Sequence, residues 1–291
     1  MASTTNNTVS NYLSLVKFSH TIFALPFAVI GYFLAIHFTE ATFNVQLFAL
    51  VILCMVFARS AAMAFNRYID RTIDKENERT AIREIPAGTV KPLSALIFVI
   101  VNCILFITTT YFINSICFFL SPVALAVVLG YSLTKRFTAL CHVILGIGLS
   151  LAPIGAYLAV TGKFDWLPLF FSFAVLFWVS GFDIIYALQD EEFDKSKKLK
   201  SIPVWLGKKG ALTLSTVFHI ISASFVIYAG FYAHFNLWYW AGTMVFIGLL
   251  FYQHTLVKPN DLSKVNIAFF TTNGIASVVF AAFVLISLFL K

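Results

Sequence analysis

The sequence predicts an all-α, polytopic membrane protein of nine transmembrane helices, and three observations carry that prediction. Apolar residues fill 60% of the 291 positions and charged residues only 11%. Mean hydropathy is +0.88, far outside the usage of water-soluble domains. Predominantly apolar runs at 22–38, 48–65, 93–113 and 267–290 each approach the ~20 residues needed to cross a ~30 Å hydrocarbon layer as a helix.

Dividing the chain on this basis gives spans at 20–38, 46–65, 92–112, 115–132, 138–160, 166–188, 210–232, 237–257 and 265–290, within one domain covering 1–291. The polar start, residues 1–11, has neither a basic stretch nor a small-residue cleavage site. It therefore does not read as a cleaved signal, and the first span is expected to stay in the mature protein. Trp166, Trp205, Trp238, Tyr239 and Trp240 fall near span ends, where aromatic belts sit at the membrane interface, and ordinary bilayer packing accounts for nearly all of the 33 Phe residues. Cys54, Cys103, Cys117 and Cys141 lie inside spans without a CxxC pair, so neither a disulfide framework nor a zinc site is indicated.

Charge sets the orientation. If the N-terminus is cytoplasmic, the connections after spans 2, 4, 6 and 8 hold 16 of the 20 basic residues, Lys17 adds another, and the opposite connections hold only Lys163. That asymmetry obeys the positive-inside rule. It accounts for the net charge of +7 as a topology signal and argues against nucleic-acid binding.

Acidic residues are scarce, and nine of the 13 lie within 70–78 and 183–194, each at the cytoplasmic end of a span. Asn66, Asp70 and Asp74 are spaced four apart, which on a helix places three oxygen-bearing side chains on one face. Offsets of 0, 3, 7 and 11 align Asp183, Tyr186, Asp190 and Asp194 in the same way. Two such stripes can face each other across a bundle. Carboxylate and amide oxygens suit Mg²⁺, which binds through one or two carboxylates plus substrate phosphates. A phosphate ester is thus the expected substrate, with Arg67, Arg71, Arg79, Arg83, Lys135, Arg136, Lys197, Lys198 and Lys200 close by as candidate phosphate ligands. The bland alternative for the acidic residues is simple pairing with neighbouring Arg and Lys at a solvated helix end.

Arg59 and Asp183 fall within apolar spans, where an ionisable residue is a functional hypothesis by default. Arg59 lies one heptad before Asn66, so it either neutralises phosphate, steers a second substrate, or forms a structural ion pair with Asp183. The six histidines show no four-residue pairing and read mostly as packing or interfacial residues, with His20 beside Lys17 the one worth testing. No GxxxxGK[ST], GxSxG or HExxH motif occurs, so nucleotide-loop, serine-hydrolase and zincin readings lack support.

With these residues the sequence resembles the UbiA superfamily of intramembrane aromatic prenyltransferases along essentially its whole length. Asn66-x-x-x-Asp70-x-x-x-Asp74, followed by Arg79-Thr80 and Arg83-Glu84-Ile85-Pro86-Ala87-Gly88, is similar to the first family motif, and Tyr186-x-x-x-Asp190-x-x-x-Asp194 to the second. Tyr131-x-x-x-Lys135-Arg136 resembles a third segment. Gln189 stands where ubiquinone-type members often have Lys, Arg67 where Asp is common, and Glu84 in place of a Pro. The stretch from Tyr186 to Ser201-Ile202-Pro203 looks like the 4-hydroxybenzoate polyprenyltransferase-like branch, some members of which prenylate a naphthoate on the futalosine route to menaquinone.

The resemblance implies nine helices around a central cavity, a lateral opening for a prenyl tail, and a cytoplasmic cap bearing Mg²⁺, in a bacterial inner membrane. It further implies transfer of a polyprenyl group from polyprenyl diphosphate to a small aromatic acid such as 4-hydroxybenzoate, in quinone biosynthesis. Asn66, Asp70, Asp74, Asp190 and Asp194 would hold the metal; Arg79, Arg83, Lys135, Arg136 and Lys200 the diphosphate; Asp183, Tyr186 and Arg59 would serve the chemistry and the acceptor. A transporter is the competing class, but its coupling residues belong near mid-bilayer at broken helices rather than at one end.

Overall fold

A computed structural model describes residues 8–16 and 23–290. Lys17, His20 and the start of the first expected span lie outside these residues. The described chain is helical: α1 (Thr8–Leu15), α2 (Leu25–Phe38), α3 (Val45–Ile69), α4 (Arg71–Glu76), α5 (Pro92–Tyr111), α6 (Ser115–Thr134), α7 (Cys141–Thr161), α8 (Trp166–Ala187), α9 (Glu191–Ser196), α10 (Ile202–Tyr232), α11 (Leu237–Leu256) and α12 (Asn273–Phe289), with a 3₁₀ turn at Leu188–Asp190 and a π turn at Ile267–Thr272. Seven helical stretches are long and apolar enough to cross a membrane. The other two expected spans coincide with α2, a shorter apolar helix of 14 described residues, and α11, of 20.

The two ends of the bundle differ in chemistry. The reversals before α3, α6, α8 and α11 are short, and a polar residue starts each helix: Asn44, Asn114, Asp165 and Asn236 accept from the backbone N–H of Leu47, Cys117, Leu167 and Trp238. Those caps satisfy donors that a helix end leaves unpaired. At the other end the segments 70–91, 135–140 and 188–201 carry most of the charge and bond to one another, and the first and last of them are longer. Lys197 pairs with Glu76, and the Lys200 N–H donates to the Lys135 carbonyl at 2.8 Å.

Successive long helices pack in turn, and α12 returns to α2, closing the bundle. α2 and α7 lie between α3 and α8, touching both. α8 is the central column: Trp178 has no exposure, and its ring meets Phe27, Phe182 and Phe246 at centroid distances of 5.4, 5.1 and 5.9 Å. α7 approaches it closely at Gly146, where a β-carbon would stand 2.4 Å from Ser180 Oγ and 2.5 Å from the Leu176 carbonyl, a small-residue contact of the kind that substitutes for the hydrophobic effect inside membranes. α5 by contrast presents Leu93, Ile97, Ile100 and Ile104 at 50–67% exposure along one helical stripe, which fits lipid.

Two helices depart from the sequence reading. α10 begins at Ile202, eight residues before the expected span, because Ser201 caps Val204 and Pro203 sits in the first turn. Gly207, at φ +67°, then bends the chain in a conformation that only glycine adopts at no cost. The last span is broken by the π turn. The carbonyls it frees are met by side chains: Gln253 Nε2 donates to Ala268 O at 2.6 Å, and Asn273 Nδ2 to Ala268 O and Phe269 O at 3.1 and 2.9 Å. Inside an apolar layer such partners are what make an irregular turn tolerable.

Candidate active site

The first motif leaves α3 almost without interruption. Asp70 ends that helix, yet its N–H still bonds to Asn66 O at 3.0 Å, and Asp74 N–H to Asp70 O at 2.7 Å. Helical spacing therefore carries through α4, and Asn66, Asp70 and Asp74 all line one cavity, as expected. Asn66 Nδ2 donates to Asp70 Oδ2 at 3.1 Å. The second motif follows a different path: α8 stops at Ala187, a 3₁₀ turn carries Asp190, and α9 carries Asp194. Both are buried, and both line the same cavity of about 280 Å³.

Each of the four motif aspartates has its own cation. Arg136 Nη2 lies 2.9 Å from Asp70 Oδ1. Arg83 Nη1 spans both oxygens of Asp74 at 2.7 and 2.8 Å. Arg79 clasps Asp190 from Nε, 3.1 Å from Oδ1, and from Nη2, with Asn77 Nδ2 adding a bond of 3.1 Å to the same Oδ1. Lys135 Nζ stands 2.7 Å from Asp194 Oδ1. Burial lifts the Asp70 carboxyl above the ordinary carboxylate range, with Arg136 pulling it part of the way back. The pairing that sequence offered as a bland alternative is thus present: Arg83–Asp74 is local, whereas Arg136–Asp70, Lys135–Asp194 and Arg79–Asp190 link distant parts of the chain, and Arg79 joins the segment after the first motif to the second motif.

The donor set fits a hard divalent cation that completes its shell with phosphate. The carboxylates of Asp70, Asp74, Asp190 and Asp194 and the amide of Asn66 line one cavity, with Asp194, 1% exposed, the most deeply buried of them. Among the described residues no three Asp, Glu, His or Cys side chains converge into a ready-made cage. Mg²⁺ is held in just this way, through one or two carboxylates, waters and substrate oxygens.

Deeper in the cavity stand Arg59, Tyr131, His142, Asp183 and Tyr186. Tyr186 OH accepts from Arg79 Nη1 at 2.9 Å, the guanidinium lies 5.2 Å above its ring, and the ring stacks on Phe269 at 4.1 Å. Arg59 and Asp183 do not form the ion pair considered from sequence. Asp183 Oδ2 is instead bonded to His142 Nδ1 at 2.7 Å, while buried Arg59 Nε has no hydrogen-bond partner. A second cavity, of about 990 Å³, shares Arg67, Arg79, Arg83 and Tyr186 with the first and continues along α12 past Gly274, Ile275, Val278 and Val279. Ile275 and Val278 are themselves exposed on the lipid-facing surface. Charge at one end and an apolar wall open to lipid at the other suit an amphiphile with an anionic head.

A family model described as the UbiA prenyltransferase family matches residues 24–287. The chain belongs to that family. It is 30% identical over 244 residues to a 4-hydroxybenzoate octaprenyltransferase of Nitrosomonas europaea, covering 84% of this chain and 83% of that one. A protein of the same description from Coxiella burnetii is 27% identical over 230 residues, 79% of this chain and 80% of the relative. Among solved structures, a UbiA homologue from Aeropyrum pernix K1 in its apo form superposes with a TM-score of 0.83 at 29% identity, covering 92% of this chain and 97% of that one. One from Archaeoglobus fulgidus bound to GPP and Mg²⁺ shares the fold at a TM-score of 0.74 and 22% identity, covering 96% and 99%. This chain is accordingly a membrane-embedded UbiA prenyltransferase.

Twelve of the thirteen site residues expected from sequence line one or both of the two cavities. Lys200 does not. Its Nζ donates to the Phe137 carbonyl at 3.0 Å, so it braces the turn after Lys135 instead of facing the aspartates. Of the family departures, Gln189 turns back to donate to Tyr186 O at 3.1 Å, Glu84 accepts from Ser14, tying α1 to the segment after the first motif, and Arg67 is buried and lines both cavities. Sequence reasoning passed over His142 and Asn77. A histidine 41 positions from its carboxylate has no local spacing to reveal it, and Asn77 follows the first motif without belonging to its four-residue period.

Proposed function

We propose that this UbiA-family protein transfers a polyprenyl group from its diphosphate to a small aromatic acid, 4-hydroxybenzoate, in quinone biosynthesis, with Mg²⁺ as cofactor. The observation that carries the reading is the one-to-one matching of four carboxylates, three of them buried, with four cations at the mouth of an amphiphile-shaped cavity. Carboxylates are what the metal needs, and cations are what a diphosphate needs. The names of the curated relatives point to the acceptor. The asymmetry of basic residues supports a bacterial inner membrane setting, with N-terminus and active site cytoplasmic. Residues 1–291 act as one unit in this reading.

Asn66 and Asp70, helped by Asp74, would hold one Mg²⁺, and Asp190 with Asp194 another. When bound, the metal neutralises charge on the departing diphosphate. Arg79, Arg83, Lys135 and Arg136, released from their aspartates, turn to the phosphate oxygens. The allylic C–O bond breaks with its electron pair leaving on diphosphate, and an apolar, enclosed cavity keeps water from the resulting cation. Tyr186 stands at the junction of the two cavities, where its ring face stabilises that charge. Arg59, seven residues and so about 10 Å before Asn66 along α3, receives the acceptor's carboxylate. The electron-rich ring then attacks the allylic carbon, and loss of a ring proton restores aromaticity.

The test is turnover by purified protein with geranyl diphosphate, Mg²⁺ and 4-hydroxybenzoate, read as diphosphate release and as the mass of the lipid product. A prenylated hydroxybenzoate supports the reading. Release that occurs only with a hydroxynaphthoate keeps the chemistry and rejects the acceptor, whereas no Mg²⁺-dependent release with either rejects the reaction.

A further inference from the structure

Arg59 on α3 and Asp183 on α8 sit at matching depth, each seven residues before its own metal motif, and both face the inner cavity without pairing. Tyr131 lines the same cavity, within electrostatic reach of both. An aromatic acid with its carboxylate on Arg59 would turn its reacting edge toward Asp183. Asp183 is also the carboxylate that the metal scheme does not use, two helical turns from Asp190.

What singles Asp183 out is how it is held. His142, 3% exposed, bonds its Oδ2 through Nδ1 at 2.7 Å. The other ring nitrogen, Nε2, lies 3.4 Å from the Ile202 backbone nitrogen. With a proton on Nδ1 the ring donates to Asp183, and this holds whether or not Nε2 is protonated as well. The histidine is anchored at both ends: α7 carries it, and the first turn of α10, set by Ser201 and bent away at Gly207, supplies its backbone partner. One oxygen of Asp183 is thereby fixed, while the carboxylate, 22% exposed, lines the cavity.

We infer that Asp183 is the base that takes the ring proton and that His142 is its positioning residue. The inference rests on the proposed prenyl transfer. In that step the allylic carbon–oxygen bond has broken, the new carbon–carbon bond has formed, and the ring carbon is tetrahedral and cationic. Asp183 accepts the proton from that carbon, the C–H pair returns to the ring, and the neutral acid loses its proton to water after product leaves. His142 does not touch substrate. Its bond keeps Asp183 ionised and aimed, the role that an outer hydrogen-bond partner commonly plays for a reacting group.

Full-length protein in lipid nanodiscs, geranyl diphosphate, Mg²⁺ and 4-hydroxybenzoate, with or without deuterium on the ring carbons beside the hydroxyl, test this directly. His142→Ala should lower kcat by about ten- to a hundredfold, leave KM for geranyl diphosphate unchanged, and produce an isotope effect larger than in the wild type, because proton removal has become slow. His142→Gln, whose amide donates to the same oxygen, should recover most of kcat and lose the added isotope effect. Asp183→Asn should show the isotope effect more strongly, and it serves if His142→Ala fails to fold. Unchanged isotope effects in His142→Ala and Asp183→Asn, with the wild type active, would overturn the inference alone. A wild type without Mg²⁺-dependent diphosphate release would overturn the functional reading and this inference with it.

Discussion

The Arg79 guanidinium straddles the Asp190 carboxylate, its Nε 3.1 Å from Oδ1 and its Nη2 on Oδ2, and so binds together residues 111 positions apart. Through Nη1 it also holds the hydroxyl of Tyr186. One side chain thereby ties the segment after the first motif to the second motif and sets the wall that the two cavities share. A planar fork with five donors does this, and a lysine does not.

Arg79→Lys is accordingly expected to behave more like a loss than a conservative change. We predict kcat lower by about ten- to a hundredfold, since a bidentate clamp becomes a point charge, with KM for the prenyl diphosphate raised as well. Steady-state kinetics on both substrates check this.

Lys135 and Lys200 separate two roles that look alike in sequence. Lys135 faces Asp194 at 2.7 Å, while Lys200 Nζ is spent on the Phe137 carbonyl. Lys135→Ala should therefore reduce kcat/KM for prenyl diphosphate by about a hundredfold, near the 2–4 kcal/mol associated with losing one charge-stabilising group. Lys200→Ala should cost less than about fivefold, as an indirect effect on the turn it braces.

Arg59, like Arg67, has a buried Nε without a hydrogen-bond partner, and of the two it lies deeper along α3 from the metal motif. Arg59→Gln should raise KM for 4-hydroxybenzoate by about tenfold or more, the scale of a hydrogen bond to a charged group, and leave KM for geranyl diphosphate within experimental error. A rise confined to the diphosphate would move Arg59 to the other substrate.

Gly146 tests the packing that positions the site. A larger residue there must displace Ser180 or the α8 backbone at Leu176, so Gly146→Val should destabilise the protein by about 1–3 kcal/mol, seen as a lower melting temperature in detergent. Because α8 carries Asp183 and Tyr186, activity should fall further than the folded fraction.

What could be read in advance follows from the range of the contacts concerned. Helical spans, the four-residue spacing of Asn66, Asp70 and Asp74, and the sidedness of the charges are local properties, and the fold keeps them. The pairing of Asp190 with Arg79, the bond between His142 and Asp183, and the retreat of Lys200 from the cavity depend on which helices meet, and no period in the chain encodes that. The second motif is the intermediate case. Its residues were legible, but the 3₁₀ turn at Leu188–Asp190 removes Asp190 and Asp194 from the single α-helical stripe that spacing suggested. The π turn before α12 escaped because it is held by Gln253 on α11 and by Asn273 just beyond it, contacts that the mostly apolar run over 267–290 does not reveal.

The central claim is that the two aspartate motifs act together through Mg²⁺ on a diphosphate. The most direct measurement is Mg²⁺-dependent diphosphate release from geranyl diphosphate in the presence of 4-hydroxybenzoate, by wild-type protein, Asp70→Ala and Asp190→Ala, each shown to be folded by its melting temperature in detergent. The account predicts release by the wild type that EDTA abolishes and excess Mg²⁺ restores, with both variants folded and at least about a thousandfold slower. Turnover near the wild-type rate in both folded variants, or wild-type release that persists in EDTA, would contradict it.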